Sequence, residues 1–293
     1  MIKYVVRKEL DDERYNGCVS SSSHKRVYGY SWFLDVVSDQ WSALILNDYE
    51  AVMPLPWNSK LGLKYITQPF FCQHLGVYSS KELNDSLIRE FFSSIPKQFL
   101  KTDLSTNVAA DSEKFIVQTN YELNLNRTHE LLQQGYRKDR RKSLRKSTES
   151  NLKHQDFENK STLIALYREV FDYVDVPEKY YATINKLIDL CLEKKIGFIR
   201  NVFCADALVC LGFFIRYEER IYYMFGASNT EGKKYGATTY LIDSVIKEFA
   251  NSETIFDFEG SNIKSIASFY KSFGSEKTTY FKYSSNVIKG KIL

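Results

Sequence analysis

Apolar residues in the first third of the chain fall into short runs at 41–47, 51–57 and 61–67, separated by Asp48-Tyr49-Glu50 and by Pro56-Trp57-Asn58. Runs of this length between turn-forming clusters predict successive strands of an antiparallel sheet. The period then lengthens to that of a helix over 83–92, and strand patterns return at 98–104 and 114–125. Strands, then a helix, then strands predict an α+β layer in which the helix covers one sheet face. The loop Pro69-Phe70-Phe71-Cys72-Gln73-His74-Leu75-Gly76 interrupts this half and reads as hydrophobic packing or as a substrate-contacting loop.

Beyond residue 150 the three- and four-residue spacing of Leu163, Leu166, Tyr167 and Val170, and of Ile184, Leu187, Ile188 and Cys191, predicts amphipathic helices over 161–173 and 179–194. Pro177 between them suits the start of the second. Strands follow at 196–203, 207–217 and 220–227, the last two joined by a tight hairpin at Glu218-Glu219. Asn229 to Ala237 reads as a loop leading into a helix with apolar positions Tyr240, Leu241, Val245, Ile246 and Phe249. A strand over 255–259 and a helix carrying Ile266, Phe269, Tyr270 and Phe273, stopped by Gly274, complete the pattern.

Composition narrows the class. With 293 residues, 44% hydrophobic and 15% aromatic, and only 13 Gly and 5 Pro, the chain predicts compact folding with room for two domains. No apolar run spans a bilayer and the N-terminus lacks the apolar core of a secretory signal, so a cytoplasmic protein without a transmembrane segment is expected. Cys18, Cys72, Cys191, Cys204 and Cys210 form no CxxC, and His24, His74, His129 and His154 form no ligand pair. Reduced, buried thiols and no metal site follow.

Charge matters more by place than by sum. Residues 137–146 hold seven Lys or Arg and one Asp, a net of +6 against +4 for the whole chain, which leaves −2 for the rest. At helical spacing these side chains surround the axis, which predicts a solvated arm or linker instead of a packed helix. Phosphates of a nucleotide-linked substrate, transfer RNA or an anionic membrane are partners such a segment suits.

Two places suit ligand chemistry. Around Lys233, Lys234, Tyr235, Gly236 and Ala237, glycine lets the backbone curl close to a ligand, and the amides of the following helix start attract a pyrophosphate. On the predicted strand 255–259, Asp257 and Glu259 share a face by alternation, with Glu259 nearer the carboxyl end where open α/β sheets bind ligands.

Asn262, Ala267, Tyr270, Phe273 and Gly274 resemble the last segment of the GCN5-related N-acetyltransferases (GNAT), whose usual form is Asn, Ala, Tyr and Gly-Phe with gaps between. Here the final pair is inverted. With Phe256-Asp257-Phe258-Glu259-Gly260-Ser261 ahead of it and an N-terminal half that reads as a degenerate copy, the chain is similar to the tandem branch that includes the Fem peptidoglycan aminoacyl-ligases. The resemblance is strongest over 196–284 and weaker over the first 125 residues. It implies an α+β fold of two tandem GNAT-like domains, each a mixed, mostly antiparallel sheet flanked by helices. Residues 1–125 would be the degenerate N-terminal domain, 126–150 a basic helical linker, and 151–293 the C-terminal domain with the acyl-donor site.

The same resemblance makes Lys233 to Ala237 a coenzyme A pyrophosphate loop, although the family's usual Arg or Gln at its head is Lys233 here. It places amides of Phe225, Gly226 and Ala227 against an acyl carbonyl, if their strand splays from its neighbour. Tyr270 becomes the acid that protonates the leaving group, and Glu259, with Asp257 beside it, the base or amine anchor. Ser261 and Asn262 cap the last helix or touch the cofactor. The expected activity is N-acyl transfer, with acetyl-CoA or another acyl-CoA as donor and no metal. The acceptor would be the amine of a small molecule or of a cell-envelope, peptidoglycan-precursor substrate. Two other classes stay open: a tRNA-dependent aminoacyl ligase, disfavoured because 126–160 is too short for the coiled-coil arm common in the Fem group, and a non-catalytic phosphate-ligand or nucleic-acid binder with a degenerate site.

Overall fold

The computed structural model describes residues 1–156, 160–171, 177–260 and 262–286. The chain forms two compact units, one of Met1–Gln118 with the segment from Thr279 onward, the other of Thr119–Thr278.

In the first unit the strands are β1 (Ile2–Val6), β2 (Trp41–Leu46), β3 (Ala51–Lys60), β4 (Leu63–Thr67), a short β5 (Tyr78–Ser79) and β6 (Phe99–Thr106). The helices are α1 (Asp12–Ser21), α2 (Ser31–Val37) and α3 (Asp85–Ser93). The sheet runs β1-β2-β3-β4-β6, antiparallel except for the parallel β4–β6 pair, with β5 on β3. Asn84 caps α3 by accepting the Leu87 N–H at 2.8 Å, and Ile88, Phe91 and Phe92 put its apolar face inside. Tyr28, Phe33, Leu44, Met53 and Tyr78 fill the rest of this core. The loop 69–76 is tied to β6, with Leu75 donating to the Ser105 carbonyl at 2.9 Å and accepting from Asn107 at 2.8 Å.

The turn expected at 56–58 is not there, because β3 runs through it to Lys60. The Trp57 amide donates to Gln40 on the β2 side, so even positions point the other way. On that side β5 pairs only Ala51 and Val52, and β4 pairs only Trp57–Lys60. Pro54 and Pro56 fall in the gap, where a missing N–H costs no ladder bond. The chain turns instead at Leu61 and Gly62, both left-handed at φ 52° and 79°.

The second unit is built from β7 (Phe115–Asn124), α4 (His129–Gln134), α5 (Lys138–Glu149), β8 (Leu152–Asp156), α6 (Lys160–Val170), α7 (Glu178–Glu193), β9 (Gly197–Cys204), β10 (Ala207–Tyr217), β11 (Arg220–Ser228), α8 (Thr230–Tyr235), α9 (Ala237–Phe249), β12 (Ile255–Asp257) and α10 (Lys264–Lys271). Its sheet runs β7-β12-β11-β10-β9-β8 and is antiparallel except at β11–β12. The final strand, β13 (Glu276–Asn286), pairs antiparallel with β6 of the first unit through Phe281–Asn286. Each unit is thus α+β, a mixed and mostly antiparallel sheet with helices.

The core of the second unit lies under α9, whose Leu241, Ile242, Val245 and Ile246 are fully buried among Val202, Val209, Phe214, Ile221 and Phe256 of the sheet. Arg200 on β9 is buried there too. Its guanidinium binds Asp156 at 2.8 Å and also pairs with Glu248 and Ser244. Among the cysteines, all free, Cys204 alone is part-exposed, and burial pushes the Cys210 thiol up to about 12. No described helix is long and apolar enough to cross a membrane.

Four expectations for this unit change. Residues 230–235, expected as loop, form α8, because Asn229 caps it by accepting the Gly232 N–H at 2.8 Å. The strand expected over 255–259 stops at Asp257. The helix expected over 161–173 is α6, and Asp172 and Tyr173 lie outside the described residues, as does Ser261. Residues 126–150, expected as a basic linker, contain α4 and α5 and fall within the second unit, where α5 packs on α9.

Replacing Leu61 with Asn, which tolerates the left-handed region, is expected to raise the unfolding free energy by about 1 kcal/mol in urea titration.

Candidate active site

Strands β11 and β12 are in register at Arg220–Ile255, Ile221–Phe256 and Tyr222–Asp257, and there β12 ends. β11 continues from Tyr223 to Ser228 without it. Two local features drive the strands apart. On β11, the register with β10 jumps between Phe213–Phe225 and Phe214–Tyr223, so Met224 is the extra residue of a bulge, which bends a strand. After β12, Glu259 and Gly260 are both left-handed, at φ 60° and 59°, and turn the chain away. The Glu259 N–H donates to Asp257 Oδ1 at 2.9 Å and sets this turn.

The space between is a cavity of about 530 Å³. Tyr223, Met224, Phe225 and Gly226 form one wall, and Phe258, Glu259 and Gly260 the other. Thr238 from the start of α9, Tyr167 of α6 and Phe171 just after it, and Ser265, Ile266, Phe269 and Tyr270 of α10 complete it. Successive strand amides point to opposite sides, so the part of β11 without a β12 partner turns alternate N–H groups toward this opening.

Tyr270 lies with its ring 5.0 Å from that of Phe258. Burial, and then the negative charge of Glu259, push its phenol well above the ordinary tyrosine range, so it keeps its proton at neutral pH. Tyr223 stands in the same wall and is displaced upward for similar reasons, burial first and Tyr270 next. Gly226 makes room for it: a Cβ there would collide with the Tyr223 hydroxyl and lie 2.9 Å from the Leu211 carbonyl.

Asp257 does not line the cavity. Completely buried, it accepts Arg220 Nη1 at 2.8 Å and Asn120 Nδ2 at 3.0 Å, while Arg220 also meets Glu122 at 2.9 Å. The strand ends at Asp257, so alternation does not carry over to Glu259; the two acids occupy different environments, one in an ion-pair cluster and one at the cavity.

A second depression, of about 700 Å³, opens beside the start of α9. Lys233, Lys234 and Gly236 line it together with Lys142, Ser143, Arg145 and Lys146 of α5. The contact of α5 with α9 explains Gly236. It is left-handed at φ 74°, and a Cβ there would stand 2.5 Å from Ser143 Oγ. Arg140, Ser143, Leu144 and Ser147 form the inner stripe of α5 at helical spacing. Ser143 Oγ is 3.0 Å from Thr239 Oγ1, and Ser147 is fully buried. The Arg140 guanidinium stacks 4.2 Å from the centre of the Phe269 ring, donates to Ser272 Oγ at 2.8 Å and binds Thr239 Oγ1.

Of the residues read from sequence, Tyr270, Glu259, Phe225 and Gly226 meet at the wedge, and Lys233, Lys234 and Gly236 at the groove. Ala227 and Ala237 are packed in the core, Tyr235 is half-buried at its margin, and Asn262 Oδ1 accepts the Thr119 N–H at 3.3 Å. Sequence reasoning missed Tyr223 and Thr238. An aromatic in a strand of aromatics carries no mark, and only the bulge at Met224 brings Tyr223 to the opening.

This wedge beside a buried phenol is the arrangement that the GNAT resemblance implies, and comparison with known proteins agrees. Residues 134–272 match the family described as acetyltransferase (GNAT) domain. The chain carries a GNAT domain. Solved structures similar to the chain include FemX, with a TM-score of 0.67 at 10% identity over 99% of each chain. A tandem GNAT protein from the clavulanic acid biosynthesis pathway has a TM-score of 0.54 at 9% identity, covering 98% of this chain and 99% of its own. L-PGS from Bacillus licheniformis has a TM-score of 0.50 at 12% identity, covering 93% and 91%. At these identities the likeness is one of fold, which extends well beyond the matched GNAT domain. No curated protein matches the chain.

Asp257→Ala would leave Arg220 buried with one partner fewer, and is expected to lower the unfolding free energy by about 3–5 kcal/mol in denaturant titration.

Proposed function

We propose that the GNAT domain transfers an acyl group, acetyl from acetyl-CoA or another acyl from its CoA thioester, to an amine of a small molecule or of a cell-envelope precursor. The opening of β11 from β12 beside Tyr270 carries this reading. An extended acyl-bearing chain suits a wedge with one wall formed by β11 beyond its pairing with β12, and strand amides facing it suit the carbonyl oxygen as it gains charge. The donor supplies the activated acyl group; the chain's residues bind, orient and move protons. The incoming amine forms the new C–N bond, the C–S bond breaks, and the Tyr270 hydroxyl gives its proton to the departing sulfur. Glu259, at the same cavity, anchors the ammonium or accepts its proton. Asp257 acts at one remove, holding the Glu259 amide and hence the turn. Lys233, Lys234 and the start of α9 suit the donor's phosphates.

The same wedge would serve an aminoacyl group carried on RNA. Apart from the loops around them, residues 126–156 are α4, α5 and β8, with no long helical arm among them, and this favours the CoA donor.

With a panel of acceptor amines and labelled acetyl-CoA, Tyr270→Phe is expected to lower kcat by about 10²–10⁴ while calorimetry shows acetyl-CoA binding preserved. Full turnover by this variant would remove the phenol from the chemistry. Because its pKa is displaced upward, no loss of rate that Tyr270→Phe abolishes is expected below pH 10, the ordinary tyrosine value.

A further inference from the structure

We propose that α5 is the second wall of a phosphate-binding groove, so that the donor's phosphates are held by Lys142, Arg145 and Lys146 of α5 as well as by Lys233 and Lys234. This rests on the acyl-transfer reading for the donor's identity, but the groove itself rests on its own geometry.

Five cations line the groove against two acids, Asp139 and Glu149. Asp139 is already spent: Arg137 binds both of its oxygens, at 3.1 and 2.7 Å, and holds its carboxyl down to about 2. None of the five cations forms an ion pair among the described residues. The outer face of α5 is moreover a continuous stripe, Lys138, Arg141, Lys142, Arg145 and Lys146, at steps of three and four. Like charges at those steps repel along a helix, and cations near its start oppose its dipole. The inner stripe of Arg140, Ser143, Leu144 and Ser147 holds α5 to α9 without help from any of them. Arg141 donates to the Gln134 carbonyl at 3.1 Å, but no ion pair among the described residues accounts for Lys142, Arg145 and Lys146.

The groove is joined to the wedge through the first residues of α9, since Gly236 lines one and Thr238 the other. A ligand with its acyl end beside Tyr270 would pass this point and bring its phosphates between α8 and α5. Lysines suit phosphate as point charges, and Arg145 presents a planar fork for bidentate contact. Coenzyme A and the acylated end of an RNA share this chemistry.

The test compares wild type with Lys142→Ala/Lys146→Ala, binding inorganic tripolyphosphate, acetyl-CoA and deacylated transfer RNA at two salt concentrations. Both side chains are exposed and unpaired, so the thermal melt should not move; Lys146→Gln serves as the milder variant if it does. Tripolyphosphate binding is expected to weaken about tenfold or more, with a shallower salt dependence. Acetyl-CoA weakening in parallel assigns the groove to a CoA donor, and transfer RNA weakening in its place assigns it to an RNA-borne one. Wild-type affinity of the variant for all three ligands overturns the proposal. The acyl-transfer reading fails separately: Tyr270→Phe should leave tripolyphosphate binding unchanged, so full turnover by that variant would sink the chemistry and leave the groove standing.

Discussion

Where β12 stops pairing with β11, a strand in the middle of a sheet loses a neighbour. Buried backbone donors without partners are costly, and folded proteins seldom leave them so. Past Tyr222, β11 runs on without β12 beside it, and the chain around it is arranged to keep the gap from closing. The bulge at Met224 bends β11 outward, and the left-handed Glu259 and Gly260 carry the other wall away. Asp257 stands at the fork. Its carboxylate is the shared acceptor for Arg220, Asn120 and the Glu259 amide, so one buried charge ends the strand, neutralises a buried guanidinium and sets the turn.

Polar groups tie the helices over the sheet together. Asp243 of α9 accepts the Tyr136 hydroxyl at 2.9 Å and contacts His129 Nε2 at 3.0 Å and Gln133 Nε2 at 3.2 Å, which ties α9 to α4 and the segment after it. Burial and the adjacent carboxylate push the Tyr136 phenol upward, so it remains a donor. Arg140 joins α5 to α9 and to α10, the helix that carries Tyr270, through a stacked guanidinium in place of an aliphatic knob. Charge that looked solvated in sequence is thus divided by the helix into an inner anchor and an outer stripe.

Legibility followed the strength of the local pattern. β10 spans the residues that its apolar run and hairpin predicted, and α7 buries the four apolar positions that its spacing marked, Ile184, Leu187, Ile188 and Cys191. β1, α1, α2 and β8 were not read, because short elements with mixed polarity, such as the exposed Lys153 to Asp156 of β8, show no period. Tyr270 and Glu259 were legible as members of a motif, Tyr223 was not, and Asp257 was legible as an acid but not as a buried one. At 56–58 proline marks a turn in local sequence, but Pro56 sits within β3 because an amide is not needed on that side of the strand.

The chain's own pattern determined that it is α+β, that a glycine ends the helix bearing Tyr270, and that lysines precede a glycine before α9. These follow from local propensity and periodicity, which act over a few residues. Tertiary structure alone decided that β12 is three residues long, that Tyr223 and Tyr270 line one opening, and that the basic segment at 137–146 lies beside Lys233 and Lys234. Each of these depends on which distant residue supplies a partner, whether Arg220 for Asp257, Tyr270 for Tyr223 or Thr239 for Arg140, and a partner some tens of residues away leaves no trace in local spacing.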